Sequence, residues 1–294
     1  MSLTQISDKR GRFGIGSKGL PVIPASRSDD LHNLEIADSA DLTLFMAGNQ
    51  FMAMGEIIDK FQDKHPDIKK IFYETLPPGL ELKQILSGGA IFKDKTLYVR
   101  PDIYTSVNEK GMEILEESGL IKKSDYHLYL HNRLALMVPK GNSAGVKSVF
   151  DMGRGDVRIS QPDPENEDIA FHIMDMYRQA GGEDLVRRIM EEKRAEGTTI
   201  FTIVHHRETP LRILKKTVHV GPVWATEVIH AKSSGLAFDV IKPGEDLDQR
   251  DKINYYVCKL SNAPNPENAQ KFLKFITSPS VQNIYKQYGF LPQF

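Results

Sequence analysis

From Leu42 onward, short apolar runs alternate with amphipathic segments whose apolar residues recur three and four apart, and this alternation limits the chain to sheets with helices on their faces. The first such crossing is "LTLFMAGNQFMAMGEIIDKFQDKHPDI", Leu42 to Ile68. Leu42, Leu44 and Phe45 read as a strand, and Met54, Ile57, Ile58 and Phe61 read as one face of a helix. Gly48, Asn49 and Gln50 therefore sit at the turn between them. The first N–H groups of a helix lack intrahelical partners and the peptide dipoles make that end partly positive, so such a turn can hold an anion. Asn49 can equally serve as an ordinary helix cap.

The succession continues through "IKKIFYET", "GLELKQIL", "PDIYTSV" and the helix "EKGMEILEESGLI", and "NRLALMVPKGN" is a strong strand ended by Pro139 and Gly141. A second set follows: "VRIS", the helix "EDIAFHIMDMYRQAGG" closed by its glycines, "DLVRRIMEEKRAEG", "TIFTIV", "TPLRILKKT", "VHVGPVWA" and "GLAFDVI". The closing section is a strand, "INYYVCKL", and two helices parted at "TSPSV", with Ser278 as cap and Pro279 in the first turn. Two such sets with a returning tail predict two lobes: residues 41–134 with 242–294, and residues 135–241. A cleft beyond the carboxyl ends of the strands is where open α/β sheets take ligands. Residues 1–40, rich in Gly, Ser, Asp and Arg, read as an extension, mobile or strapped on. Its "GIGSKG", Gly14 to Gly19, fits G-x-G-x-x-G but lacks the strand before it and the helix after it that a dinucleotide site needs.

The 38 basic and 39 acidic residues leave a formal charge of −1, so no global field draws the chain to nucleic acid or an anionic membrane, and any anion selectivity is local. One cysteine, Cys258, excludes an internal disulfide, and its apolar setting marks a core thiol. No apolar stretch approaches the roughly 20 residues that cross a bilayer, and the amino terminus lacks a signal-peptide core. The chain thus reads as cytosolic or as a mature form whose leader has been removed.

Chemistry-bearing residues are few. Thr105 and Ser106 end a strand, as ligand contacts or as caps of the next helix. "HHRET", His205 to Thr209, brings cations to a strand–helix junction, where Arg207 can grip a carboxylate or phosphate bidentately; a solvated turn is the plain alternative. His127 and His131 lie four apart without the carboxylate of an H-E-x-x-H motif, and no zinc spacing, P-loop, nucleophile elbow or kinase signature occurs, so neither a metal nor a cofactor is expected. Trp224, the only tryptophan, ends a strand, as a buried aromatic or as a ligand contact.

Four stretches carry a resemblance over about 42–294: "LTLFMAGNQF" with "FQDKHPDIK"; "PDIYTSVNEKGMEIL"; "NRLALMVPKGN"; and "VGPVWATEV" with "NPENAQKFLKFITSPSVQNIYKQYGFLP". In these the chain resembles the periplasmic substrate-binding proteins of ABC importers, most closely the molybdate/tungstate-binding family. The resemblance implies a two-lobed periplasmic-binding-protein type II fold, each lobe a mixed, mainly parallel sheet flanked by helices. It further implies a monomeric, non-catalytic receptor that takes a small anionic solute and hands it to a membrane permease. The expected setting is periplasmic or extracellular, with a membrane anchor through a removed leader. An enzyme using His205, His206 and Glu208, or a ligand-sensing domain, are the alternatives; a regulator would need a DNA-binding helix pair that residues 1–40 do not supply.

The resemblance points to the turn Gly48, Asn49 and Gln50, to Pro78 and Gly79, and to Trp224 as ligand contacts, and the reading of the residues themselves adds Thr105, Ser106, His206 and Arg207. At three of these positions the chain departs from the family. Asn49 stands where the family has a serine, Pro78 before Gly79 where it has another, and Trp224 where it has a tyrosine. Proline offers no N–H and an indole trades a hydroxyl for an apolar face, so the expected solute shifts from molybdate toward a small organic anion held by Arg207, or other backbone amides make up the loss and the oxyanion is kept.

Overall fold

A computed structural model describes residues 19–165, 167–203 and 208–293. The chain divides into two compact units, one running to His131 and resuming at Asn254, the other spanning Asn132–Ile253. The first unit opens with β1 (Val22–Ile23), β2 (Leu31–His32), β3 (Leu42–Phe45), α1 (Phe51–Lys64), β4 (Ile71–Glu74) and α2 (Pro78–Ser87). It continues with β5 (Ala90–Phe92), β6 (Lys95–Leu97), β7 (Ile103–Ser106), α3 (Lys110–Glu117) and β8 (Tyr126–His131). The second unit contains β9 (Leu134–Pro139), β10 (Ile159–Gln161), α4 (Ile169–Arg187), α5 (Lys193–Ala195) and β11 (Thr199–Phe201), then α6 (Glu208–Leu214), β12 (Gly221–Trp224), α7 (Ala225–Ser233) and β13 (Phe238–Ile241). The return to the first unit supplies β14 (Asn254–Lys259), α8 (Pro266–Ile276), α9 (Pro279–Gln287) and β15 (Leu291–Pro292).

The first unit is built on a seven-stranded mixed sheet in the order β15-β8-β14-β7-β3-β4-β2. Its β3 runs parallel to β4 on one side and β7 on the other, and the outer pairings are antiparallel. Strands covered on both faces read as continuous apolar runs, and β3 is buried at every residue. Phe45, Phe72, Tyr104, Met112 and Leu260 pack on one side of it. Elsewhere in this unit α1 lays Phe61 against Phe272 and Phe275 of α8, with ring centroids 5.1 and 5.3 Å away. Cys258 is fully buried within β14, as its setting predicts, and burial pushes its thiol up.

The tail is tied in by a buried carboxylate. Asp102 accepts the Thr43 N–H at 2.8 Å from β3 and, at 2.6 Å, the N–H of Asn265, the residue that precedes α8. The residue just before β7 thus serves the sheet and the returning helix through one side chain. The return comes at Asn254, later than the residue 242 expected, and the first crossing at Asn132 rather than 135. Residues 242–253 belong to the second unit because Asp248 O accepts the Leu134 N–H at 2.8 Å and Ile253 O accepts that of Asn132. A charged loop with no apolar period gives no sign of which unit it serves.

Residues 19–40 are strapped to the first unit. Leu31 and His32 pair with Glu74 and Tyr73 at the sheet edge, Asp30 O takes the Thr75 N–H at 2.8 Å, and Ile23 and Leu31 pack on Leu76, Leu80 and Phe92. Of "GIGSKG" only Gly19 lies within the described residues.

The second unit has an antiparallel β12-β9-β13 sheet and a parallel β10-β11 pair, with Met137, Val218, Val223, Val228 and Phe238 among its core. The glycines expected to close a helix do so within the span of α4: Gly181 leaves helical geometry, Gly182 takes φ 70°, and a second helical segment follows.

Two carboxyls are buried at the end of β4 and the first turns of α2. Glu74 takes a hydrogen bond from Gln84 Nε2 at 2.8 Å, and Glu81 one from the Leu76 N–H at 3.1 Å. Glu74 Oε1 and Glu81 Oε2 have no partner among the described residues. Burial first, then the neighbouring acids, pushes Glu74 from the ordinary 4.5 up to about 8 and Glu81 well above its usual range. A carboxyl whose pKa is raised on folding stabilises the fold fully below its unfolded pKa, and that contribution is lost as pH rises through the folded value. Stability should therefore fall as pH climbs from about 4.5 through 8, and Glu74→Gln should flatten that fall. Urea midpoints at several pH values check this; equal slopes in the variant and the parent would refute it. In the same assay Phe272→Ala should cost about 3–5 kcal/mol.

Candidate functional site

Because β3, β4 and β7 are adjacent and run the same way, their carboxyl ends lie side by side on one edge of the sheet, and each is followed by a helix. Ligands of open α/β sheets gather at such an edge, where helix amino termini offer N–H groups. The first turn is Gly48–Gln50, one short 3-10 stretch leading into α1. Glycine is required at its start: a Cβ on Gly48 would lie 2.9 Å from Thr75 O and 3.2 Å from Leu76 O, the backbone leading into the second turn. The two turns are thus packed on each other without an intervening side chain. In the first, Gln50 N–H bonds Ala47 O at 2.9 Å; in the second, the Leu80 and Glu81 N–H groups both return to Pro77 O. Pro78 has no N–H, so Gly79, exposed and with open space where a Cβ would be, carries the outward donor of α2.

The assigned side chains divide by what they touch. Gln50 is fully buried, and its amide works inward: Nε2 donates to Thr105 Oγ1 at 3.0 Å, while Oε1 accepts from the hydroxyls of Tyr129 at 2.7 Å and Tyr285 at 2.6 Å. Burial drives both phenols well above their usual range, so they remain donors. Thr105 Oγ1 also accepts the Ala47 N–H at 2.7 Å, which fixes the peptide entering the first turn. Ser106 lies against the start of α3, its Oγ accepting the Asn108 N–H at 3.4 Å, with Asn108 Oδ1 taking the Gly111 N–H at 3.3 Å. The carbonyl of Pro78 accepts the Tyr104 hydroxyl at 3.0 Å.

Asn49 does not cap α1. It is buried, and its Nδ2 donates to the hydroxyl of Tyr255 on β14. Its Oδ1 is out of solvent and has no hydrogen-bond partner among the described residues. Tyr255 was not foreseen from the sequence, where "INYYVCKL" shows a strand but not which turn its tyrosines meet.

In the second unit Trp224 is buried at the end of β12, paired with Leu134 and with its ring 6.1 Å from that of His172, which burial holds below the usual histidine pKa. His206 and Arg207 lie outside the described residues, as does His205. Glu208 accepts the Ile203 N–H at 2.9 Å and the Arg212 guanidinium at 2.7 Å, so its carboxylate is engaged in starting α6. His131 hydrogen-bonds Asn254 and Gln293. Among the described residues no cluster of three or more His, Cys, Asp or Glu could hold a metal ion, and no helix is long and apolar enough to cross a membrane.

Comparison with known proteins bears on the fold and the family. YvgL of Bacillus subtilis (strain 168), described as an ABC transporter substrate-binding lipoprotein, is 21% identical over 204 residues, 69% of this chain and 72% of that protein. The periplasmic molybdate-binding protein of Azotobacter vinelandii superposes with a TM-score of 0.65 at 15% identity, covering 85% of this chain and 98% of that one. The sulfate-binding protein SubI of Mycobacterium tuberculosis H37Rv gives 0.66 at 14% identity, covering 86% of each. The two-lobed fold of such receptors is therefore this chain's fold. Residues 42–291 match the model of the bacterial extracellular solute-binding proteins, and the chain belongs to that family.

Proposed function

We propose that the protein is a non-catalytic receptor that captures a small anion, an oxyanion or a small organic anion, at the carboxyl edge of the first unit's sheet, for delivery to the permease of an ABC importer. The observation that carries the anion reading is the convergence of three parallel strand ends, each opening a helix, with Gly48 seated directly on the backbone of the next turn. Helix starts gathered in this way supply N–H groups and a favourable dipole without a charged side chain. The net charge of −1 is consistent with that local device. Glu208, bound at both oxygens, is poorly placed to act as an acid or base, which argues against an enzyme built on His205, His206 and Glu208. The family and the lipoprotein relative support a periplasmic or extracellular setting, with anchoring through a leader as the accompanying proposal. A monomer that meets no nucleic acid completes the reading.

A ligand that binds only the folded state stabilises it by about 2.7 kcal/mol at a hundred times its Kd. In a thermal-shift screen of molybdate, tungstate, sulfate, phosphate and small carboxylates, at least one anion should raise the melting temperature by several degrees. Gly48→Ala should lower stability by about 1–3 kcal/mol and weaken that anion's effect, because its Cβ pushes the second turn away. Turnover of a substrate without any stabilising anion would overturn the reading.

A further inference from the structure

Asn49 is the side chain of the first turn that is neither absorbed by the core network nor turned to solvent. It is 6% exposed. Its donor half is spent on the hydroxyl of Tyr255, which is fully buried on β14 with its ring edge-on to Phe290 at 5.8 Å. Its acceptor half, Oδ1, is withdrawn from water without a partner among the described residues. The position lies in the turn just before the cap of the 14-residue helix α1, whose dipole favours negative charge there. The turn therefore combines an anion-favouring field with a buried carbonyl oxygen that needs a donor. An anion whose outer atoms are all acceptors would set lone pair against lone pair there; one that keeps an O–H would satisfy the carbonyl and the field together.

We infer that the solute is an anion carrying an O–H beside its charge, such as a singly protonated tetrahedral oxyanion or a hydroxylated carboxylate, and that Asn49, positioned by Tyr255, selects it. This rests on the reading of Gly48–Gln50 as the ligand turn. It departs from the molybdate-like expectation, since molybdate, tungstate and sulfate at neutral pH carry no hydrogen.

Titration calorimetry at about pH 8, where phosphate is mostly a dianion that keeps one O–H, gives pairs matched in charge and shape. Hydrogenphosphate is compared with sulfate and molybdate, and lactate with propionate, which separates the two sources of the same donor. The wild type should prefer the O–H member of at least one pair by about tenfold or more. Asn49→Ala should shrink that preference to about threefold or less. Tyr255→Phe, which frees the amide to turn its N–H₂ outward, should raise the affinity of the member without a hydrogen relative to its partner. Melting curves establish that both variants fold. Sulfate or molybdate bound at least as tightly as hydrogenphosphate, with no lactate preference, overturns the O–H requirement and leaves the ligand turn standing. A preference that survives Asn49→Ala removes Asn49 as its source. If none of these anions binds, and the solute found by thermal shift is indifferent to Gly48→Ala and Asn49→Ala, the ligand turn falls and this inference with it.

Discussion

The buried amide of Gln50 is the interaction on which the rest of the first unit's site depends. It gathers Thr105 from β7, Tyr129 from β8 and Tyr285 from α9 onto one residue of the turn between β3 and α1. Each partner is itself fully buried, so these hydrogen bonds form where their loss would leave polar atoms in a dry interior, at about 1–3 kcal/mol each. The residues come from sequence positions as far apart as 50 and 285, and the tail must therefore be in place before the turn is fixed. The returning segment is part of the site's foundation, through Tyr285 on Gln50 and Tyr255 on Asn49.

A second polar device sits beneath the neighbouring turn. Glu81 reaches back to the Leu76 N–H and Glu74 is held by Gln84, in a place where burial raises the pKa of both carboxyls and favours their neutral form. Ionised, they would put negative charge directly behind the helix starts that favour an anion. Protonated, they satisfy backbone and amide donors without opposing the field. Residues 31 and 32 close the sheet edge over the same strand, so the strap shields β4 where the acids lie.

The fold was legible wherever apolar period and punctuation agreed. The crossings from β3 to α1, β4 to α2 and β7 to α3 were readable from their alternating patterns, and the tail from Pro279 and the apolar spacing of α8 and α9. What stayed illegible depended on partners remote in sequence. β8, in "HLYLH", exists because β14 and β15 pair with it on both sides, partners that the local sequence does not show. The first strap strands contribute only two residues each, too few for a period. Among the ligand assignments, Gln50 and Asn49 are adjacent amides that the sequence cannot tell apart. Tertiary structure sends one into a tyrosine cluster and leaves the other with an acceptor to spare.

That division of labour bears on how receptors sharing this fold come to take different solutes. Gln50 and Thr105 hold the backbone, and changing either would loosen the turn whatever the ligand. Gly48 is fixed by the carbonyls it touches. The positions left to vary in the first unit are therefore Asn49, whose buried Oδ1 stands outside the Gln50 network, and Gly79, where a side chain would meet open space. Selectivity can change at these points at little cost to stability because the energy of the fold is vested in the buried neighbours of each one.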